Sequence, residues 1–205
     1  QAGLNWATDM FAEKFDLEKP INIVGALSFY QYLNYNATVA APAGGASLVR
    51  TNILAGSQDS PAVLVFYHQI NTALFGATLG FFANYTHNTR NTVSSGAGQG
   101  DDAYGIGLRY GKNNKPGDWE LNYAYYYLEA NATAAAFNDS DFGGPGYNGF
   151  TNRKGHKFGL TYRLTKSLET NLTGYVVTPV NDVNAATFST SEYVLRTQSD
   201  LVWKF

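Results

Sequence analysis

Three histidines, His68, His87 and His156, and an acidic loop around Asp139-Ser140-Asp141 are the side chains of this chain best suited to chemistry. Histidine and carboxylate together can hold a divalent metal, but such sites use close spacings, and neither His-x-His nor Glu-x-x-His occurs. His87 and His156 fall at the ends of their segments, where a rim metal site is conceivable but solvated rim histidines are the expected reading. The run Asn138-Asp139-Ser140-Asp141, followed by Gly143-Gly144, offers oxygen ligands of the kind calcium takes. It lacks the closing glutamate of an EF-hand loop, and it also reads as an Asx-turn or as acidic residues folded into an interior. Nucleophilic catalysis would need a serine beside a histidine. Ser140 or Ser191 could meet His156, yet no Gly-x-Ser-x-Gly is present. No cofactor and no metal are expected, and the chain is read as a non-enzyme.

The other charged residues follow a different rule. In the closing stretch VLRTQSDLVWKF, Leu195, Thr197, Ser199, Leu201, Trp203 and Phe205 fall on one side, while Val194, Arg196, Gln198, Asp200, Val202 and Lys204 fall on the other. This alternation resembles the last strand of a bacterial outer-membrane β-barrel, with a lipid side, a polar lumen side and an aromatic anchor at the interface. Composition fits. Of 205 residues 44% are hydrophobic and only 15% charged, with Tyr 15, Phe 13 and Gly 21, which suits β-structure at a wet boundary. No run of 18 apolar residues exists for a membrane helix, whereas a barrel strand needs only about 9 to 11 alternating residues. A net charge of -2 without a Lys/Arg cluster argues against nucleic acid as a partner. With Cys 0 there is neither a disulfide scaffold nor a thiolate metal site. The chain starts without Met and shows no signal-peptide core, so a processed form or a fragment is expected.

Period-two segments recur along the chain. They cover Ile21 to Tyr30, Ala62 to Leu74, Ala77 to Thr86, Tyr104 to Tyr110, Trp119 to Tyr127, Lys157 to Arg163, Leu168 to Val176 and the closing strand, which makes eight. The facing of Ala62 to Leu74 is ambiguous because His68 and Gln69 are adjacent. Connections alternate between short and long. Short ones are Phe75-Gly76, Lys112 to Asp118 and Leu164 to Ser167; long ones run from about Thr38 to Pro61, His87 to Asp102, Asn131 to Gly155 and Thr178 to Tyr193. Outer-membrane barrels sort their loops this way, with short turns periplasmic and long loops extracellular.

Hairpin arithmetic sets Tyr110 opposite Trp119, Arg109 opposite Glu120 and Arg163 opposite Glu169, and it collects Tyr110, Trp119, Tyr162, Trp203 and Phe205 at one level as an aromatic girdle. The first twenty residues are open. Leu4, Trp6, Thr8, Met10 and Ala12 share one strand face, giving nine strands, but Trp6, Ala7, Met10, Phe11 and Phe15 also fit a helical stripe. In the second case residues 21 to 205 would close an eight-stranded barrel by themselves.

The combination of Gly117-Asp118-Trp119-Glu120, Tyr127-Leu128-Glu129-Ala130, Asp139-Ser140-Asp141-Phe142-Gly143-Gly144 and Lys154-Gly155-His156 resembles the C-terminal part of the bacterial outer-membrane "putative porin" family. The resemblance covers about residues 100 to 180 well and two earlier strands more loosely; the stretch Pro145 to Phe150 departs from the family's shorter loop. It implies that residues 1 to 15 are a strand and that residues 1-205 are one antiparallel transmembrane β-barrel domain, incomplete at its N-terminus. The expected partners are outer-membrane lipid and lipopolysaccharide, small solutes in transit, and upstream strands or a neighbouring chain; homo-oligomerisation is left open.

The expected function is passive diffusion through a water-filled lumen in the bacterial outer membrane, with Arg109, Glu120, Lys157, Arg163, Glu169, Arg196, Asp200 and Lys204 lining the pore. Two rivals remain: a small anchor or adhesin barrel plugged by its own side chains, and an outer-membrane hydrolase. Lipid-facing residues are expected to include Leu79, Phe81, Ile106, Leu108, Leu121, Tyr123, Leu160, Leu172 and Leu201. Leu108→Arg or Leu160→Arg should then cost about 2–4 kcal/mol in urea unfolding from lipid vesicles. Unchanged stability in both variants would contradict this facing.

Overall fold

The computed structural model describes residues 2–10, 21–31, 61–90, 100–133, 138, 139, 141, 142, 151–181 and 193–205. The connections around Asp16 to Pro20, Thr38 to Ser60 and Pro145 to Phe150, together with Ser140 and Ser191, lie outside the described residues. The elements are β1 (Ala2–Met10), β2 (Ile21–Gln31), β3 (Ala62–Leu74), β4 (Ala77–Asn88), β5 (Asp102–Gly111), β6 (Trp119–Leu128), β7 (Arg153–Arg163), β8 (Leu168–Pro179) and β9 (Val194–Trp203). Among the described residues there is no helix, and all nine strands form one antiparallel sheet in chain order.

The ambiguous N-terminal segment is therefore a strand. β1 takes the edge of β2, pairing Trp6 with Gly25 and Leu4 with Leu27. This overturns the eight-stranded alternative, in which β2 would have paired with β9. Trp6 belongs in a strand because Gly25 leaves room for its indole: a Cβ there would sit 2.1 Å from Trp6 Cε2. The sheet is open, since β1 and β9 do not pair with each other. It nonetheless curls, because a single cavity of about 500 Å³ is lined from Tyr67 and Gln69 on β3 round to Asp200 on β9.

Each strand sends alternate side chains to the two faces. One face carries Phe81, Ile106, Leu121, Phe158, Leu160, Leu172 and Leu201, all exposed although apolar. A water-soluble sheet would cover such a face; this one leaves the apolar side outermost and keeps its polar residues on the enclosed side. β3 joins the pattern with Phe66, His68 and Ile70 outward and Tyr67, Gln69 and Asn71 inward, which settles its facing through the pairs His68 with Ala83 and Gln69 with Phe82.

The short turns are well defined. Phe75 (φ 51) and Gly76 (φ 68) both have positive φ, the two-residue hairpin geometry that matches strand twist. In the turn between β5 and β6 the Asp118 carboxylate accepts the N–H groups of Lys115 and Asn114, each at 3.0 Å; these bonds, the one from Lys115 foremost, hold its carboxyl below the usual range. The same turn corrects one expected register. Tyr110 lies opposite Leu121 and Arg109 opposite Asn122, two residues from the expected pairs Tyr110 with Trp119 and Arg109 with Glu120. The cause is Gly111, at φ 134, which extends the ladder to Glu120 while Lys112 N–H reaches the Trp119 carbonyl at 2.8 Å. A shift of two keeps every side chain on its face. Arg163 does lie opposite Glu169. Three of the long connections are shorter than expected, because β4, β7 and β8 run on to Asn88, back to Arg153 and on to Pro179.

Gly111 accordingly tolerates no side chain, since a Cβ would lie 2.3 Å from the Trp119 carbonyl oxygen in a backbone conformation that side chains rarely adopt. Gly111→Ala is expected to cost about 1–3 kcal/mol in denaturant unfolding. Gly174→Ala, with nothing within 4 Å of its added methyl, should stay within about 0.5 kcal/mol. Equal losses in the two would contradict the β5–β6 register.

Candidate functional site

The inner face is organised in rows that run across the strands. One row reads Asn22, Asn71, Gly80, Arg109, Asn122, Gly159, Thr173 and Gln198 from β2 to β9; the next toward the long loops reads Val24, Gln69, Phe82, Gly107, Ala124, Lys157, Tyr175 and Arg196. All eight expected lining residues take this face. They are not equivalent, because the structure pairs nearly every charge among them.

At the short-turn end Glu169 is the centre of a cluster. Its carboxylate meets Arg163 Nη2 at 2.9 Å and Lys204 Nζ at 3.0 Å, and Asn113 Nδ2 donates to it at 3.3 Å. Arg163 also donates through Nε to Asn113 at 2.9 Å, so one network ties the β5–β6 turn to the ends of β7, β8 and β9. With Arg163 at 9% and Glu169 at 8% exposure these charges are buried in the wall and join its strands. Arg109 and Glu120 are looser: Nε and Oε2 are 3.7 Å apart on a diagonal, and Asn122 Nδ2 donates to Glu120 at 3.4 Å. Asp200 accepts Gln198 Nε2 at 3.0 and 3.3 Å.

At the long-loop end the β6–β7 connection turns onto the inner face. Asp139 pairs with Lys157 Nζ at 3.0 Å and Asp141 with Arg196 Nη2 at 2.8 Å, so two carboxylates of one loop reach β7 and β9. Phe142 completes the attachment. Its ring meets Tyr126 edge-on at 5.6 Å, it clusters with buried Tyr175 and Val177, and the Arg153 guanidinium donates to its carbonyl. Asp141 N–H donates to Asp139 Oδ1 at 2.9 Å, an Asx-turn. Of the readings open for this acidic loop, the turn and the inward fold hold together, and Lys157 and Arg196 are counter-ions to it. The 500 Å³ cavity is lined by Tyr126 and Lys157, which this loop touches, and reaches toward the short turns at Asn171 and Asp200.

The outward face carries two aromatic groups. At the short-turn end Trp119 pairs with Tyr162 and Tyr110 meets Trp119 at 6.0 Å, while Trp203, opposite Leu168 on β8, and Phe205 are exposed. At the other end Tyr104 stacks on Tyr127 at 5.0 Å, a group that hairpin arithmetic did not collect. The histidines are separate and outward-facing: His68 lies 5.4 Å from Trp6, His87 Nδ1 is 2.9 Å from Asp102, and His156 Nδ1 is 2.9 Å from the Tyr123 hydroxyl. His156 thus lies on the opposite face from the cavity. The amides Asn122 and Asn171 also line the cavity, and their inward parity is visible in the alternation; that of Gln69 and Asn71 is not, because the facing of their strand is fixed only by pairing with β4.

Burial alone would raise the Asp139 pKa, but the Asp141 N–H and the Lys157 ammonium outweigh it and hold the carboxyl below its ordinary 3.8. A depressed folded value means that the tether is fully present above 3.8 and is lost as pH falls through the lower folded value. A nitroxide at Asn138→Cys, the single thiol in a chain with Cys 0, should gain mobility on acidification below 3.8. In an added Asp139→Asn background it should be more mobile at neutral pH and change less. Identical pH profiles in the two backgrounds would show that this carboxylate does not hold the loop.

The comparisons with known proteins agree with this architecture. No curated protein and no solved structure matches the chain. The family model described as "putative porin" matches residues 66–200, from β3 to β9, and the chain belongs to that family.

Proposed function

We propose that this chain forms part of the wall of a bacterial outer-membrane channel for passive diffusion of small hydrophilic solutes. The observation that carries the proposal is the continuous segregation of the two faces, apolar and exposed outside, polar and enclosed inside, over consecutive strands. In lipid that facing is favourable; in water it would be inverted. The outward aromatic groups add support, because Tyr104 and Tyr110 on β5 are six residues and so about 20 Å apart along the strand. Two belts at that separation fit the interfaces of an apolar band about 25 Å tall. On this reading the short turns are periplasmic and the tethered β6–β7 loop narrows the passage from the extracellular side.

A lipid setting also demands partners for the two free edges. Each unpaired N–H or C=O in hydrocarbon costs several kcal/mol, so the outer edges of β1 and β9 pair with further strands, upstream or on a neighbouring chain. Strand number favours transport over anchoring. An eight-stranded barrel fills its interior with side chains, whereas a wider one leaves an aqueous passage.

The full-length protein in planar bilayers should give discrete conductance steps. Asp141→Asn combined with Arg196→Gln should change the step size, because this ion pair ties the inward-folded loop to the wall. Absence of steps from folded protein would favour the anchor reading.

A further inference from the structure

The inner wall contains a place where flat apolar surface and neutral hydrogen-bonding groups lie side by side, and most of the charges around it are matched in pairs. Phe82 on β4 and Tyr126 on β6 flank β5, whose inward residues at these positions are Gly107 and Gly105. The rings lie down over the glycines. A Cβ on Gly107 would sit 2.3 Å from Phe82 Cε1, and one on Gly105 would sit 2.6 Å from Tyr126 Cδ1. The two rings are 6.4 Å apart with their planes 35° from one another, so they form one shelf across three strands, and both line the 500 Å³ cavity. Tyr175, by contrast, is buried, with Lys157 Nζ 5.2 Å from its ring centroid.

Next to the shelf lies a ladder of amides. The Tyr67 hydroxyl donates to Gln69 at 2.6 Å and Gln69 Nε2 to Asn71 at 2.8 Å, with Asn122, Asn171 and Thr173 continuing along the cavity wall. Each amide both donates and accepts. Most of the charges around the cavity are compensated, Lys157 by Asp139 and Arg196 by Asp141, with Arg109 facing Glu120; Asp200, bound by the Gln198 amide, is a single carboxylate and not a ring. An ion-selective passage needs a ring of one uncompensated sign, which this wall does not present among the described residues.

Flat apolar faces edged by neutral donors and acceptors complement a molecule with the same division. A pyranose sugar has it, with C–H faces that pack on rings and a rim of hydroxyls that donate and accept. We infer that the solute class of this passage is neutral sugars, which stack on the Phe82 and Tyr126 shelf and exchange hydrogen bonds with the amide ladder from Gln69 to Asn122. This inference rests on the channel reading above.

Its test is single-channel recording on the full-length protein in planar bilayers, with maltose as probe and a polyethylene glycol of equal hydrodynamic size as control. Maltose should interrupt the current at concentrations where the glycol does not. Phe82→Ala or Tyr126→Ala should weaken the maltose effect about five-fold, the scale expected of one aromatic contact. Asn122→Ala, which leaves the rings untouched, should weaken it as well, and Leu121→Ala on the outward face should not. Channels that maltose and the glycol affect alike, or a maltose effect indifferent to all three inner-face substitutions, would overturn the inference while leaving the channel reading intact. Folded protein without conductance steps would overturn both.

Discussion

Main-chain hydrogen bonding is the constraint on which the rest of this structure depends. In the proposed lipid setting no water satisfies backbone N–H and C=O groups, so they must pair strand to strand, and a sheet in which every strand pairs with its chain neighbour does this with the fewest exceptions. Once the ladder is fixed, side-chain direction is no longer free: alternate residues must face opposite sides along each strand. Apolar residues therefore collect outside and amides, hydroxyls and ion pairs inside, and the exceptions acquire meaning. Gly111 extends a ladder by sacrificing a side chain, and Gly25, Gly105 and Gly107 accept the rings of Trp6, Tyr126 and Phe82 from adjacent strands.

The charges inside follow from the same enclosure. A carboxylate or ammonium held against the wall keeps its ionised form most readily beside an opposite charge, and the sheet provides such neighbours at both ends. At the short-turn end Glu169 gathers Arg163 and Lys204, which locks the last three strands together. At the long-loop end the partners come from a connection, so that Asp139 and Asp141 neutralise the wall and narrow the space beside it in one step. What is left facing the cavity is largely neutral, and this gives the proposed passage its chemical character.

Much of the fold was legible in the sequence because period-two alternation is local, and a strand with two unlike faces writes it in residue after residue. The eight alternating segments, the short turns and the opposition of Arg163 and Glu169 could all be read this way. β1 could not be decided, since Trp6, Met10 and Phe11 satisfy a helical stripe too, and only pairing with β2 separates the two. The register of β5 on β6 was missed by two residues because it turns on the conformation of Gly111, which no periodicity reports. Of the site, the inward charges were visible by parity. Compensation within a hairpin was visible too, as for Arg163 with Glu169, but compensation by the β6–β7 loop was not, because Asp141 and Arg196 are far apart in sequence and meet only through the curl of the sheet.

The central claim is that one face of the sheet meets lipid and the other meets water. The absence of cysteine makes it directly measurable, because each position from Trp119 to Leu128 on β6 can carry the only thiol of the chain. Full-length single-cysteine variants in sealed vesicles would be exposed to a charged, membrane-impermeant thiol reagent, and the labelling rate read position by position. Fast labelling at Glu120, Asn122, Ala124 and Tyr126 with slow labelling at Leu121, Tyr123 and Tyr125 is the expected result. Uniform labelling along the strand, or faster labelling of the second set, would contradict it.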